Sequence, residues 1–384
     1  MTSTGTNGTR RLERALLGKG AVGFALLVLA LASTLALAGY NVEVVQGSDR
    51  NIVFPTSLEF NGSGMPTIAY GERTASEVRL ATRSVDSTWG IETVAPGVPL
   101  ALDHAIDSNG NILVCYTTST SSAYDVYVAE RVGSTWSRAR VARGMSSSLV
   151  SCAYDTAHLP CVAYGDGTAG KLYFAKRSGG TWSSEVVAQK MNPWGELSLA
   201  FDASSPAKPA IAFVDNQRSK TGFAYLKLAR KPGSKWSIET AATSLDAIRY
   251  SSLAFNPLSG RPTISYLVSS YSVAATYLAT NPASGLWPSE LVANAYSRSL
   301  RIDAAGNLHI GLLGPPYGVP KQVSVISTLG GIWTPVTVET SPDNESNFSY
   351  PSIAIDPAAA GHPALSYGFG GPSDLRYAWW VSGP

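Results

Sequence analysis

Apolar and polar positions along this chain alternate in short runs, and the runs recur. A five-residue phrase of Ser or Asp, apolar, small, apolar, then Asp or Asn occurs as SLEFN (57–61), DHAID (103–107), SCAYD (151–155), SLAFD (198–202), SLAFN (252–256), SLRID (299–303) and SIAID (352–356). Successive copies start 46, 48, 47, 54, 47 and 53 residues apart. Self-similarity at such a period marks a solenoid, a propeller or an array. After each phrase come a turn and a run such as MPTIAY (65–70), LPCVAY (159–164) or RPTISY (261–266). Its alternating large and small apolar residues fit a strand buried on both faces. A shorter strand follows, for example KLYFAKR (171–177), then a Gly/Ser turn with a Trp at its exit: Trp89, Trp136, Trp182, Trp236, Trp287 or Trp333. A strand of the IETV type (91–94) ends the unit.

Four short strands in one such unit cannot enclose a core, whereas repeating them radially buries both faces of every sheet. The pattern therefore predicts an all-β, seven-bladed propeller of four-stranded antiparallel blades. No 3.6-residue period competes with it. The seventh unit stops before its last strand, and NVEVVQG (41–47) matches IETVAPG (91–97). The N-terminal strand is thus expected to complete the last blade, with 41–46 pairing with 375–380. That closure removes an open, aggregation-prone edge.

The phrases and Trp turns resemble the bacterial secreted seven-bladed propellers, whose blades read S-L-A-x-D, P-x-I-x-Y, L-x-Y-A, W and E-x-V. The likeness covers about 41–384. The Trp turn also resembles the Asp box of sialidases, S-x-D-x-G-x-T-W, which only Ser84, Asp86 and Trp89 echo, one residue short and without its Gly. The resemblance implies architecture, not activity.

Residues 1–20 are polar and carry Arg10, Arg11, Arg14 and Lys19; 21–38 are apolar or small; Ala36-Leu37-Ala38 forms an A-x-A site before Gly39. Residues 1–38 read as a secretory signal peptide, with an uncleaved anchor as the alternative, and 39–384 as one propeller domain. The product is expected outside the cytoplasm, secreted, periplasmic or on the cell surface, and monomeric. Charged residues make up 15% and the net charge is +2, which gives no electrostatic footprint for nucleic acid. Of the three cysteines, Cys152 and Cys161 tempt pairing within one blade. They take large and small positions on opposite faces, so Cys115, Cys152 and Cys161 are expected as buried thiols.

The four histidines lack metal-ligand spacing and read as structural. The phrase-ending acids read as acceptors for turn N–H groups, in preference to calcium ligands. The recurring Trp residues read as rim packing, in preference to sugar-stacking platforms. No cofactor or metal is expected. Function should lie where repeats differ, in two loop sets sharing one face. The first, before each innermost strand, supplies the candidate ligand-binding residues Phe54, Trp194, Arg249, Tyr250, Tyr296, Arg298 and Tyr350. The competing reading makes the aromatics a plug of the channel mouth. The second set, between second and third strands, adds Glu72, Asp125, Asp166 and Asp215 among others. The chain reads first as a non-catalytic binding propeller for a glycan, peptide or protein. The alternative is a sialidase-like glycoside hydrolase or lyase, which needs three guanidinium groups to converge from Arg50, Arg73, Arg218, Arg249 and Arg298. A third reading is an envelope module that packs against partners through a broad apolar patch.

Overall fold

The computed structural model describes residues 39–382 apart from 205–206, 271–273, 283, 315–320, 343–347 and 371–373; the side chains of Ser48, Val53, Phe54 and Trp194 are also outside this set. The signal segment expected at 1–38 lies outside the described residues. Twenty-eight strands form seven four-stranded antiparallel sheets, as the period predicts. Blade 1 runs outward as Ile52–Phe60, Pro66–Glu72, Glu77–Arg83 and Trp89–Pro96. The innermost strands of blades 2 to 6 are Ala101–Ile106, Val150–Tyr154, Pro193–Phe201, Ala247–Phe255 and Tyr296–Ile302. Blade 7 holds Ser352–Ile355, Pro363–Phe369 and Asp374–Val381, and its outermost strand is the N-terminal Gly39–Gln46. Asn41 faces Trp379 and Gln46 faces Leu375, which is the expected closure.

The first residue of the phrase joins the blades at the centre. Its side-chain oxygen accepts a hydrogen bond from the backbone N–H of the phrase's second residue in the next blade. The donors and acceptors are His104 to Ser57, Cys152 to Asp103, Leu199 to Ser151, Leu253 to Ser198, Leu300 to Ser252, Ile353 to Ser299 and, closing the circle, Leu58 to Ser352, at 3.0–3.2 Å. Innermost strands pair only with the second strand of their own blade, so their inner N–H groups need such partners. A short hydroxyl supplies them without filling the channel.

The phrase-ending residue behaves as expected. In all seven blades, Oδ1 of Asn61, Asp107, Asp155, Asp202, Asn256, Asp303 or Asp356 accepts from N–H groups of the following turn at 2.8–3.1 Å. At the rim, five of the six turn Trp residues reach back one blade. Trp89, Trp136, Trp236, Trp287 and Trp333 donate Nε1–H to Glu43, Glu92, Glu185, Glu239 and Glu290 at 2.8–3.1 Å. Arg83, Arg131 and Lys231 pair with the same carboxylates as three of them.

Trp182 breaks the series. Ala139 stands where the preceding blade would offer Glu, and the buried Trp182 Nε1 has no partner among the described residues. Arg177 turns instead to Glu130. An orphaned buried donor costs roughly 1–3 kcal/mol. Ala139→Gln, which adds an acceptor without a second charge beside Glu130, should raise the melting temperature by roughly 1–2 °C for a domain of this size. Ala139→Glu should gain less. Calorimetry of both variants checks the order.

Candidate functional site

Seven innermost strands enclose a central cavity of about 510 Å³. Its walls are mostly repeated: serine at the first phrase position, alanine at the third. Three residues depart from this. Asp103 replaces Ser at the first position, and Glu59 and Arg301 replace Ala at the third. Glu59 Oε1 and Arg301 Nη2 are 2.7 Å apart, a pair that links blade 1 to blade 6 across blade 7. Burial raises the Glu59 carboxyl above the ordinary range, with the Arg301 guanidinium pulling against it. These residues were missed as site candidates, although aligning the seven phrases position by position shows them at once.

At the mouth, the structure brings several predicted residues together. The Arg298 guanidinium pairs with Glu196. It lies over the Tyr250 ring at 4.7 Å and the Tyr350 ring at 5.1 Å. The two rings are 5.0 Å apart, and Tyr296 packs edge-on behind Tyr350 at 5.9 Å. Burial lowers the Arg298 pKa to about 10, which leaves it charged at neutral pH, and burial raises the Tyr250 hydroxyl so that it stays a donor. The backbone at Tyr250 is strained, with φ 49°, inside a bulge between Arg249 and Ser252. Gly195, beside Arg249 and Tyr250, has φ 75°, a backbone conformation that favours glycine.

Other expectations need correction. Arg249, Tyr250, Tyr296 and Arg298 sit on the innermost strands, not in loops before them, as does the backbone of Phe54 and Trp194. The strands continue through bulges past the phrase because their N–H and C=O groups can still pair with the second strand. Arg249 is not among the channel-lining residues; its Nε donates to Ser269 Oγ at 3.1 Å in its own blade. The side chains of Phe54 and Trp194 lie outside the described residues. The acids of the second loop set brace strands and connections locally and are not among the channel-lining residues. Glu72 is buried against Arg79 at 2.5 Å, Asp215 binds Lys227 at 2.6 Å, Asp125 accepts from Gly144 N at 3.0 Å, and Asp166 from Ser146 Oγ at 2.8 Å.

One constellation in the wall imitates a catalytic triad. Ser57 Oγ lies 2.9 Å from His104 Nδ1 and 3.1 Å from Asp103 Oδ1. Asp103, however, contacts the serine and not the imidazole, whose other nitrogen meets Thr67 Oγ1 at 3.0 Å. Burial, with the Arg301 charge, lowers the His104 pKa to about 3, so the ring is no base for serine at neutral pH. The trio is structural.

No family model matches the sequence, and neither does any curated protein. Solved structures share the fold. A polysaccharide lyase of family PL25, an ulvan lyase solved with -[GlcA(1-4)Rha3S]-, superposes at TM-score 0.59 and 11% identity, covering 91% of this chain and 95% of its own. Virginiamycin B lyase from Staphylococcus aureus superposes at 0.55 and 11%, covering 89% and 100%. The Cps50 (Swd1) propeller domain of Myceliophteria thermophila superposes at 0.52 and 11%, also covering 89% and 100%. At such identity the likeness is one of fold alone.

Proposed function

We propose that this protein is a binding propeller that takes the end of a neutral glycan at the channel mouth. The observation that carries the reading is the cluster of Tyr250, Tyr350 and the Arg298–Glu196 pair at the channel mouth. Partly exposed tyrosine rings pack on sugar C–H surfaces, and a paired guanidinium and carboxylate offer adjacent donors and acceptors to vicinal hydroxyls. Among the described residues lining the channel, Glu59, Asp103 and Glu196 outnumber Arg298 and Arg301. That balance disfavours a polyanionic ligand. That a neighbour of similar fold was solved with the saccharide -[GlcA(1-4)Rha3S]- supports a saccharide as the class of ligand, while the acidic lining here argues for a neutral one. The reading accords with the export expected for residues 39–384.

The enzymatic alternative is less well supported. Arg298 and Arg301 each already hold a carboxylate, while Arg50, Arg73, Arg218 and Arg249 are not among the channel-lining residues. A glycan array followed by calorimetric titration of the purified protein tests the proposal. Tyr250→Ala and Arg298→Gln should each weaken binding about 10-fold or more, by roughly 1.4 kcal/mol or above. Ala304→Ser, in a turn on the opposite face, should not. Binding indifferent to both mouth substitutions, or turnover of a glycoside, would overturn the reading.

A further inference from the structure

Where blade packs on blade, the second phrase residue is bulky and meets a small residue on the second strand of the preceding blade. Ile353 presses on Gly311 so closely that a Cβ there would lie 2.9 Å from Ile353 Cγ2. At the matching positions around the ring the pairs are Leu58 with Ser366, Leu199 with Ala163, Leu253 with Ala212 and Leu300 with Ser265. Between blades 2 and 3 both places hold cysteine. Cys115 is larger than the Ala or Ser of most other blades and Cys152 smaller than their Leu, so the two replacements partly offset each other.

Both thiols are buried, and their sulfurs lie within 4.8 Å of each other. An Asp103 carboxylate oxygen falls in the same radius, but this is a poor metal site. The Asp103 oxygens already accept from Ser57 Oγ, Ser151 Oγ, His104 N and Cys152 N at 2.8–3.1 Å. Cys161 belongs to a different packing cluster from Cys115 and Cys152, with its sulfur 3.5 Å from Leu159 O. Pairing within the blade is therefore ruled out, and pairing across the blade boundary is not.

We propose that Cys115 and Cys152 form a disulfide that joins blade 2 to blade 3 beside the channel, leaving Cys161 as a free thiol. The oxidant is a disulfide of the exchange type, such as glutathione disulfide. One cysteine thiolate attacks it and expels one thiol, giving a mixed disulfide. The second cysteine displaces the other thiol, so two S–H bonds are lost, one S–S bond forms, and the oxidant leaves as two thiols. Burial pushes both thiol pKa values up. Exchange is then slow in the closed ring, and the bond forms as the blades meet during folding.

The full chain is refolded in a mixture of reduced and oxidised glutathione, denatured, and its thiols are counted and its peptides mapped. One thiol and a 115–152 cross-link are expected. Protein refolded in dithiothreitol instead should melt about 5 °C lower than the oxidised protein, as for loss of a bridge closing a loop of roughly 40 residues. Cys161→Ala should keep that response and Cys115→Ala should lose it. Three free thiols after refolding, or a cross-link to Cys161, would overturn the proposal even if the Cys115 variant does not fold.

Discussion

Removing residues 39–46 should abolish cooperative melting and leave a protein that aggregates. The N-terminal strand covers the outer edge of blade 7 along its length, from Gly39 opposite Val381 to Gln46 opposite Leu375. Without it that edge presents unpaired N–H and C=O groups to other chains. The strand also latches the ring. Its Glu43 accepts from Trp89 Nε1 and from Arg83 Nε, both at 2.8 Å, so the strand that completes blade 7 also grips blade 1. Tyr40 donates to Pro363 O at 3.0 Å and packs edge-on against Trp380 at 5.4 Å. Glu43→Ala isolates the latch from the edge. It leaves one indole N–H and one half-buried guanidinium without their acceptor and should cost about 1–3 kcal/mol. The truncation should show light scattering on heating and a broad transition, whereas the point variant should melt sharply at a lower temperature. A truncated protein that melts like the parent would contradict the closure argument.

Acid should destabilise the protein through His104, and His104→Leu should remove that component. The folded ring refuses a proton down to about pH 3, while the unfolded chain takes one near the ordinary 6.5. Between those values the unfolded state binds more protons, so stability is intact above about 6.5 and is lost as pH falls toward 3, on the order of 5 kcal/mol in all. His309 and His362, also held low by burial, act in the same direction. Glu59, held high, acts in the opposite one: its folded state gains from protonation as pH falls. Those contributions are common to both proteins, so the difference between parent and variant isolates His104. Leu occupies the same phrase position in four other blades, as Leu58, Leu199, Leu253 and Leu300, so the site accepts its shape. Denaturant melts at pH 7.5 and 4 should show the variant gaining about 3 kcal/mol on the parent at the lower pH. Parallel pH profiles would place the acid sensitivity elsewhere.

These two results would separate the scaffold from the site. The latch and the histidine belong to the wall and rim, at positions that recur in the blades even where the residue differs. The Arg298–Glu196 pair and its tyrosines belong to the channel mouth, and their loss should change binding more than stability.

The chain's own pattern determined the blade count, the strand order within each blade, the closure by 41–46 and the role of the phrase-ending acids. Each depends on pairing between neighbouring segments, and a period-2 alternation ending in a turn residue specifies that locally. What one blade offers the next was decided only in the tertiary structure. The serine belt, the reach of five Trp residues to a Glu of the preceding blade, the meeting of Cys115 with Cys152 and the turning of Arg249 toward Ser269 all join or orient groups across tens of residues. The rotation of one sheet against the next, which packing sets, brings these groups into contact or turns them apart. The unrepeated Glu59, Asp103 and Arg301 were visible as letters. That Glu59 and Arg301 form a pair across blade 7 and share a channel with Tyr250 and Arg298 follows only once the ring has closed and carried blades 1 and 6 to either side of blade 7.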